Sequence, residues 1–166
     1  MVIGAGPGGY HAAIRGSQLG LKVAIIERDD GSGIGGLGGV CLNWGCIPSK
    51  ALLKNAEILN HIKNADKWGI EIQQFTASMS AAVDRSRNVS SQLTKGIGFL
   101  LRKNNIELFN GNAKLESHTE VSIDSKEIIT GRHIVIATGA RARSLPGLEI
   151  DGTNIITSRH ALELKE

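Results

Sequence analysis

Residues 4–9 read Gly4-Ala5-Gly6-Pro7-Gly8-Gly9, a G-x-G-x-x-G string directly behind the apolar Met1-Val2-Ile3. A helical pattern over residues 10–19 follows, Gly20 caps it, and Leu21-Lys22-Val23-Ala24-Ile25-Ile26 reads as a second buried strand closed by Glu27. A strand, a glycine turn, a helix and a strand ending in an acid make a complete βαβ unit, and that unit predicts an α/β fold that binds a dinucleotide. Gly4 makes the tight turn, Gly6 lets backbone approach a pyrophosphate at the helix N-terminus, where Pro7 and Gly8 also lie, and Gly9 permits close helix packing. Glu27 is placed to accept ribose hydroxyls. The competing reading is a glycine-rich turn alone, which would not need the strand, the helix and the acid all in position.

A second string, Gly33-Ile34-Gly35-Gly36-Leu37-Gly38, fits the same letters but not the context. Arg28-Asp29-Asp30-Gly31-Ser32 separates it from the strand before, and no strand ending in an acid follows the helix after it. It is predicted to be a loop leading into Gly39.

Beyond that loop stand the only two cysteines, Cys41 and Cys46. In an ideal helix, Cα atoms five residues apart lie about 8.7 Å from each other, beyond disulfide reach. A bond between them therefore needs a broken turn, for which Gly45 provides backbone freedom and Pro48 suits the first turn of a following helix. A metal site needs about four ligands, and no second cysteine pair or nearby histidine pair is present. A structural staple, two unrelated buried thiols and a redox-active disulfide remain as readings. Short loops gain least from cross-linking, which weakens the staple.

With 166 residues, 41% of them hydrophobic, the chain can bury a core of its own as one domain. The net charge of +3 is dispersed, and two tryptophans, one tyrosine and three phenylalanines offer no stacking platform, so no nucleic-acid partner is expected. No apolar run approaches a membrane span, and no basic region or cleavage site precedes the glycine turn. Cytoplasmic localisation is expected, with the mitochondrial matrix as the other reducing compartment; there a disulfide is more often catalytic than structural.

The rest is predicted as a helix over 51–65, a turn at Trp68-Gly69-Ile70, and a long helix from a Thr76 cap to Lys103. Its stripe is Met79, Val83, Val89, Leu93, Ile97 and Leu100. The period then changes to two, predicting an antiparallel meander over 106–109, 113–115, 121–123 and 127–129 that ends on a buried strand at 134–137. Ala137-Thr138-Gly139 brings backbone close to a ligand at the carboxyl edge of the sheet. An exit loop at 140–148 and a short helix at 158–165 close the chain, and its five histidines read as surface residues.

Together, residues 4–9, Glu27, the run Gly38-Gly39-Val40-Cys41-Leu42-Asn43-Trp44-Gly45-Cys46-Ile47-Pro48-Ser49-Lys50 and Ala137-Thr138-Gly139 resemble the FAD-binding part of the pyridine nucleotide-disulfide oxidoreductases. The wording from Gly39 to Leu53 is most similar to members that oxidise dihydrolipoyl groups. Leu42-Asn43 and residues 49–53 favour these over the mercuric-type and glutathione-type reductases. The resemblance implies a Rossmann-like FAD-binding domain with a parallel sheet, flanking helices and a small antiparallel meander. It implies FAD held by Gly4, Gly6, Pro7, Gly8, Gly9 and Glu27 on the ADP half and by Ala113 near the adenine. Gly39, Val40, Cys41, Lys50, Ala137, Thr138 and Gly139 are the other implied contacts. Cys41 would be the interchange thiol and Cys46 the sulfur beside the flavin, with Lys50 stabilising the reduced ring and the adjacent thiolate. Electrons would pass from a reduced lipoyl-bearing protein or small dithiol to the disulfide, the flavin and then NAD.

Members of the family are about three times as long. The resemblance therefore implies that residues 1–166 are part of an FAD-binding domain, and that an NAD-binding domain, a second FAD segment and a dimerisation domain belong to the whole protein, a homodimer. The glycine-rich run at 31–36 is longer than the family's usual loop. A flavin-binding or disulfide-carrying module without catalysis is the expectation outside enzymes.

Overall fold

The computed structural model describes residues 1–28 and 36–166. Of the glycine run at 31–36 only Gly36 is described, and of the second glycine string at 33–38 only residues 36–38. In chain order the elements are β1 (Val2–Ile3), α1 (Pro7–Gln18), β2 (Ala24–Glu27), α2 (Gly39–Trp44), α3 (Cys46–Lys63), a 3₁₀ turn (Ala65–Trp68) and α4 (Met79–Lys103). Then come β3 (Glu107–Asn110), β4 (Ala113–Leu115), β5 (Glu120–Ile123), β6 (Glu127–Thr130), β7 (Val135–Ile136) and α5 (Ser158–Ala161).

Four strands form a parallel sheet in the order β3-β2-β1-β7, and three form an antiparallel sheet in the order β4-β5-β6. Strands covered on both faces need continuous apolar runs, and β1 and β2 carry them. Val2 pairs with Ile25, and both enter a core with Ala13 of α1, Leu42 of α2 and Ile97 and Leu101 of α4. Ile3 pairs with Ile26, and both enter a second core against Val121 and Ile123 of β5. Helices therefore cover one face of the parallel sheet and the antiparallel sheet covers the other. No helix among the described residues is long and apolar enough to cross a membrane.

Several expectations change. The meander is three strands, not five, because β3 pairs in register with β2 and β7 with β1, both parallel. Period-two alternation marks an extended strand but not its partner. The last strand is not buried: Val135 is 43% exposed and Ile136 63%, at the edge of the sheet. The cap of α4 is Ser78, whose hydroxyl accepts the Ala81 N–H at 3.2 Å, rather than Thr76; either residue type can do this, and register chooses. Met79, Leu93 and Leu100 of the proposed stripe are exposed, while Ser86, Ser90, Gly98 and Leu101 are buried beside Val83 and Ile97. Small residues let α4 approach its neighbours closely, a criterion a search for large apolar side chains passes over. His160 is half-buried, and its ring nitrogen accepts the Thr157 N–H at the start of α5.

Candidate functional site

A cleft of about 750 Å³ opens at the carboxyl ends of the parallel strands, within the size range of small-molecule sites. Gly4, Gly6, Pro7 and Gly8 reach it from the β1–α1 turn, Glu27 and Arg28 from the end of β2, and Gly111, Asn112 and Ala113 from beyond β3. Ala137, Thr138, Gly139, Ala140 and Arg141 follow β7 into it, and Gly39, Val40 and Cys41 of α2 close the remaining side. Four of these five segments meet here because parallel strands all release their chain at the same edge.

Close backbone approach explains the glycines. A Cβ on Gly9 would overlap the Gly4 carbonyl oxygen, so α1 can lie against β1 only without one. Gly39 has φ +58°, and a Cβ there would come within 2.7 Å of the Gly6 Cα. These two contacts set the α1 N-terminus beside the start of α2. Pro7 opens α1, no acidic residue occupies its first turn, and its N-cap Gly6 supplies no side chain. The positive end of the helix dipole therefore faces the cleft with no acidic side chain of α1 itself to neutralise it, and this suits a phosphate.

Glu27 is buried, with both carboxylate oxygens on backbone: one accepts the Ala5 N–H and the other the Gly36 N–H at 3.2 Å. The Gly38 N–H donates to the Ala5 carbonyl at 2.9 Å. The acid thus ties the phosphate turn to the chain entering α2. A strand-end cleft with a helix N-terminus that bears no acidic residue of its own and a buried acid at one side fits the ADP half of FAD. Among the described residues no group of three or more His, Cys, Asp or Glu is placed to hold a metal ion.

Cys41 and Cys46 form a disulfide with their Cα atoms 4.7 Å apart. The broken turn is at Gly45, which ends α2 and precedes α3, so that the two cysteines sit on different helices. A Cβ at Gly45 would lie 3.1 Å from the Val40 carbonyl oxygen. Helix α3 starts at Cys46, and Pro48 is buried in its first turn, where the sequence places it. Cys41 lines the cleft, whereas Cys46 and Lys50 are exposed and do not line it. Gly9 lies behind the lining and acts through packing alone.

The residue that sequence reading passed over is Asp124. Its Oδ1 accepts the Asn112 backbone N–H at 2.9 Å and its side-chain amide at 3.3 Å, fixing the loop that carries Asn112 and Ala113 into the cleft. The only signal was a polar turn between β5 and β6. The Asn112 backbone hydrogen bond, then its side-chain one, hold the Asp124 carboxyl below its ordinary value of 3.8. A depressed carboxylate contributes stability fully above its unfolded pKa and loses it as pH falls through the folded one. Acidifying from about pH 5 to about pH 2 is expected to lower the denaturant midpoint, and Asp124→Asn to flatten that fall below about pH 4. An unchanged slope in the variant would place the acid sensitivity elsewhere.

The whole chain, residues 1–166, matches the family described as pyridine nucleotide-disulphide oxidoreductase, and the chain belongs to that family. Among curated relatives, it is 45% identical over 182 residues to a dihydrolipoyl dehydrogenase of Rhizobium etli, covering 98% of this chain and 37% of that protein. It is 43% identical to a dihydrolipoyl dehydrogenase of Chlorobaculum parvum, over 99% of this chain and 35% of the relative. A leghemoglobin reductase of Glycine max is also 43% identical, over 100% and 32%. The chain thus spans about a third of the length of the curated relatives it matches. Among solved structures, the HOCl-induced flavoprotein disulfide reductase RclA from Escherichia coli superposes with a TM-score of 0.78 at 28% identity, over 99% of this chain and 34% of that one. LpdA from Mycobacterium tuberculosis has the same fold, with a TM-score of 0.83 at 23% identity over 99% and 37%.

Proposed function

We propose that this chain is the FAD-binding part of a flavoprotein that oxidises dihydrolipoyl groups with NAD through the Cys41–Cys46 disulfide. The observation that carries the reading is a disulfide across a broken helix with one of its sulfurs in the wall of a dinucleotide-sized cleft. Residues 1–166 are a partial domain on this reading, and the whole protein, a cytoplasmic homodimer, adds the NAD-binding domain, the second FAD segment and the dimerisation domain. Its partner is a lipoyl-bearing protein or a small dithiol.

Gly4, Gly6, Pro7, Gly8 and Gly39 shape the phosphate cradle, Glu27 the ribose side, Ala113 the adenine side, and Val40, Ala137, Thr138 and Gly139 the opposite wall. A substrate thiolate attacks the Cys41 sulfur, forming a mixed disulfide and releasing the Cys46 thiolate. The second substrate thiolate attacks the mixed disulfide, which frees Cys41 and leaves an oxidised lipoyl ring. Two electrons have then passed from the substrate to the cysteine sulfurs and its two thiol protons to solvent, and Lys50 supplies positive charge close to the exposed Cys46. Bound FAD supplies the acceptor that carries the electron pair on to NAD. A second reading exchanges the two sulfurs, favoured by Cys41 lining the cleft while Cys46 is exposed.

The test is the visible spectrum of the purified chain incubated with FAD and then reduced stepwise with a dithiol. A retained flavin band, with a long-wavelength absorption on reduction that is lost in Cys46→Ser and kept in Cys41→Ser, is the expected result. Loss in Cys41→Ser alone would establish the second reading. A bound flavin whose spectrum ignores both cysteines would refute a redox role for the pair.

A further inference from the structure

Trp44 stands between the two cysteines in sequence and takes no part in the cleft. Two guanidinium groups sit over its ring, Arg87 from α4 with Cζ 4.7 Å from the ring centroid and Arg159 from α5 at 4.2 Å. Arg87 Nη1 also donates to the Asn43 carbonyl at 2.6 Å. Thr94, on the same helix, donates to the Asn43 side chain at 3.1 Å, and the Asn43 amide donates in turn to the Leu37 and Gly39 carbonyls. Asn43 and Trp44, the last two residues of α2, are therefore gripped from outside their own helix.

The grip is not a generic surface contact. Arg87 Nε and Nη2 and Trp44 Nε1 are buried without a hydrogen-bond partner among the described residues. Burial holds the Arg87 pKa below its ordinary value and the neighbouring Arg159 charge lowers it further, with Glu163 opposing. Desolvating donors and bringing two like charges to one ring are both unfavourable. Stacking on the indole face is the compensating interaction available to both groups.

We propose that Arg87 and Arg159 are positioning residues for the redox pair, gripping Asn43 and Trp44 so that the angle between α2 and α3 at Gly45 persists when the disulfide is open. The physical need is plain. Pro48 and Gly45 keep α2 and α3 from fusing into one helix but leave the angle between them unset. Released from its tethers, α2 would swing about Gly45 and carry the Cys41 Cα away from its 4.7 Å approach to Cys46. A dithiol held at that angle closes readily; one whose two helices swing apart does not. The inference rests on the reading of Cys41–Cys46 as an exchanging disulfide.

The test equilibrates the purified chain with dithiothreitol at graded ratios of its reduced and oxidised forms. The reagent's two thiols give up two electrons and two protons, the Cys41–Cys46 bond opens to two thiols, and the reagent closes to its cyclic disulfide. Acid quenching, alkylation and mass measurement read the fraction open. Arg159→Met is expected to raise the equilibrium constant for reduction about tenfold, or about 30 mV for a two-electron couple. Arg159→Lys, which keeps the charge and loses the planar group, is expected to raise it about threefold, and Arg87→Met to shift it in the same direction. Lys165→Met is the control, because it removes the 2.8 Å ion pair to Asp84 that tethers the same segment away from Trp44, and it should change nothing. An unmoved Arg159→Met, or an equal shift in the control, would overturn the proposal. So would a shift toward the disulfide, which would mean that the cations act by stabilising thiolates. If the unsubstituted chain does not exchange at all, the redox reading itself fails, a result distinct from exchange that Arg159 does not affect.

Discussion

Serine in place of either cysteine is expected to lower dithiol-dependent NAD reduction by the full-length, FAD-loaded protein by on the order of 10³-fold or more. A serine hydroxyl can neither form nor break the sulfur–sulfur bond through which the substrate's electron pair leaves. The fold should survive, since the loop closed by Cys41 and Cys46 is only five residues in separation and its loss removes on the order of 2 kcal/mol by the loop-entropy relation. The double variant should be no slower than either single one, because two atoms of one bond act as a unit. Steady-state kcat/KM for the three variants, beside their denaturant midpoints, makes the check. Losses that multiply in the double variant would mean that the sulfurs work independently, and the proposed exchange would be wrong.

Gly9→Ala is the second large effect, on stability rather than chemistry. The added methyl would overlap the Gly4 carbonyl oxygen and lie 2.8 Å from its carbon and 3.4 Å from Val2 Cγ1. Two of the three neighbours are backbone in the phosphate turn, which cannot swing aside as a flexible side chain could. The expected cost is about 3 kcal/mol or more, lowering Tm by about 6–12 °C for a chain of this size. Displacing the start of α1 should also abolish FAD retention. Gly96→Ala provides the contrast, since that residue is exposed within α4 and a Cβ there meets nothing within 4 Å. The same methyl should there raise stability by about 0.5–1 kcal/mol through helix propensity. Thermal unfolding of both variants tests the sign as well as the size; similar behaviour at the two sites would refute the packing explanation for Gly9.

Much of the site was legible in the chain. The βαβ unit could be read because each step has a local cause: apolar strands, a glycine turn where backbones touch, a capped helix and an acid at a strand end. The disulfide needed a broken helix, and Gly45 advertised the break two residues after Asn43. What escaped was partnership. β3 and β7 have the pattern of meander strands, yet each joins the parallel sheet through a neighbour far away in sequence. The buried face of α4 was misjudged for a related reason: Ser86, Ser90 and Gly98 are buried by parts of the chain distant in sequence, Leu37 beside Gly98 among them, and only those neighbours identify the face.

The sequence by itself determined the family, the glycine turn at residues 4–9 and the need for a broken helix between the two cysteines, because those depend on residue types at short spacing, where local backbone geometry is nearly obligatory. Only the tertiary structure decided which strands share a sheet, that Asp124 holds the Asn112 loop, and that Trp44 lies beneath guanidiniums from α4 and α5. Those arrangements pair groups separated by tens of residues, and hydrogen bonding and burial select such partners only after the chain has been brought together.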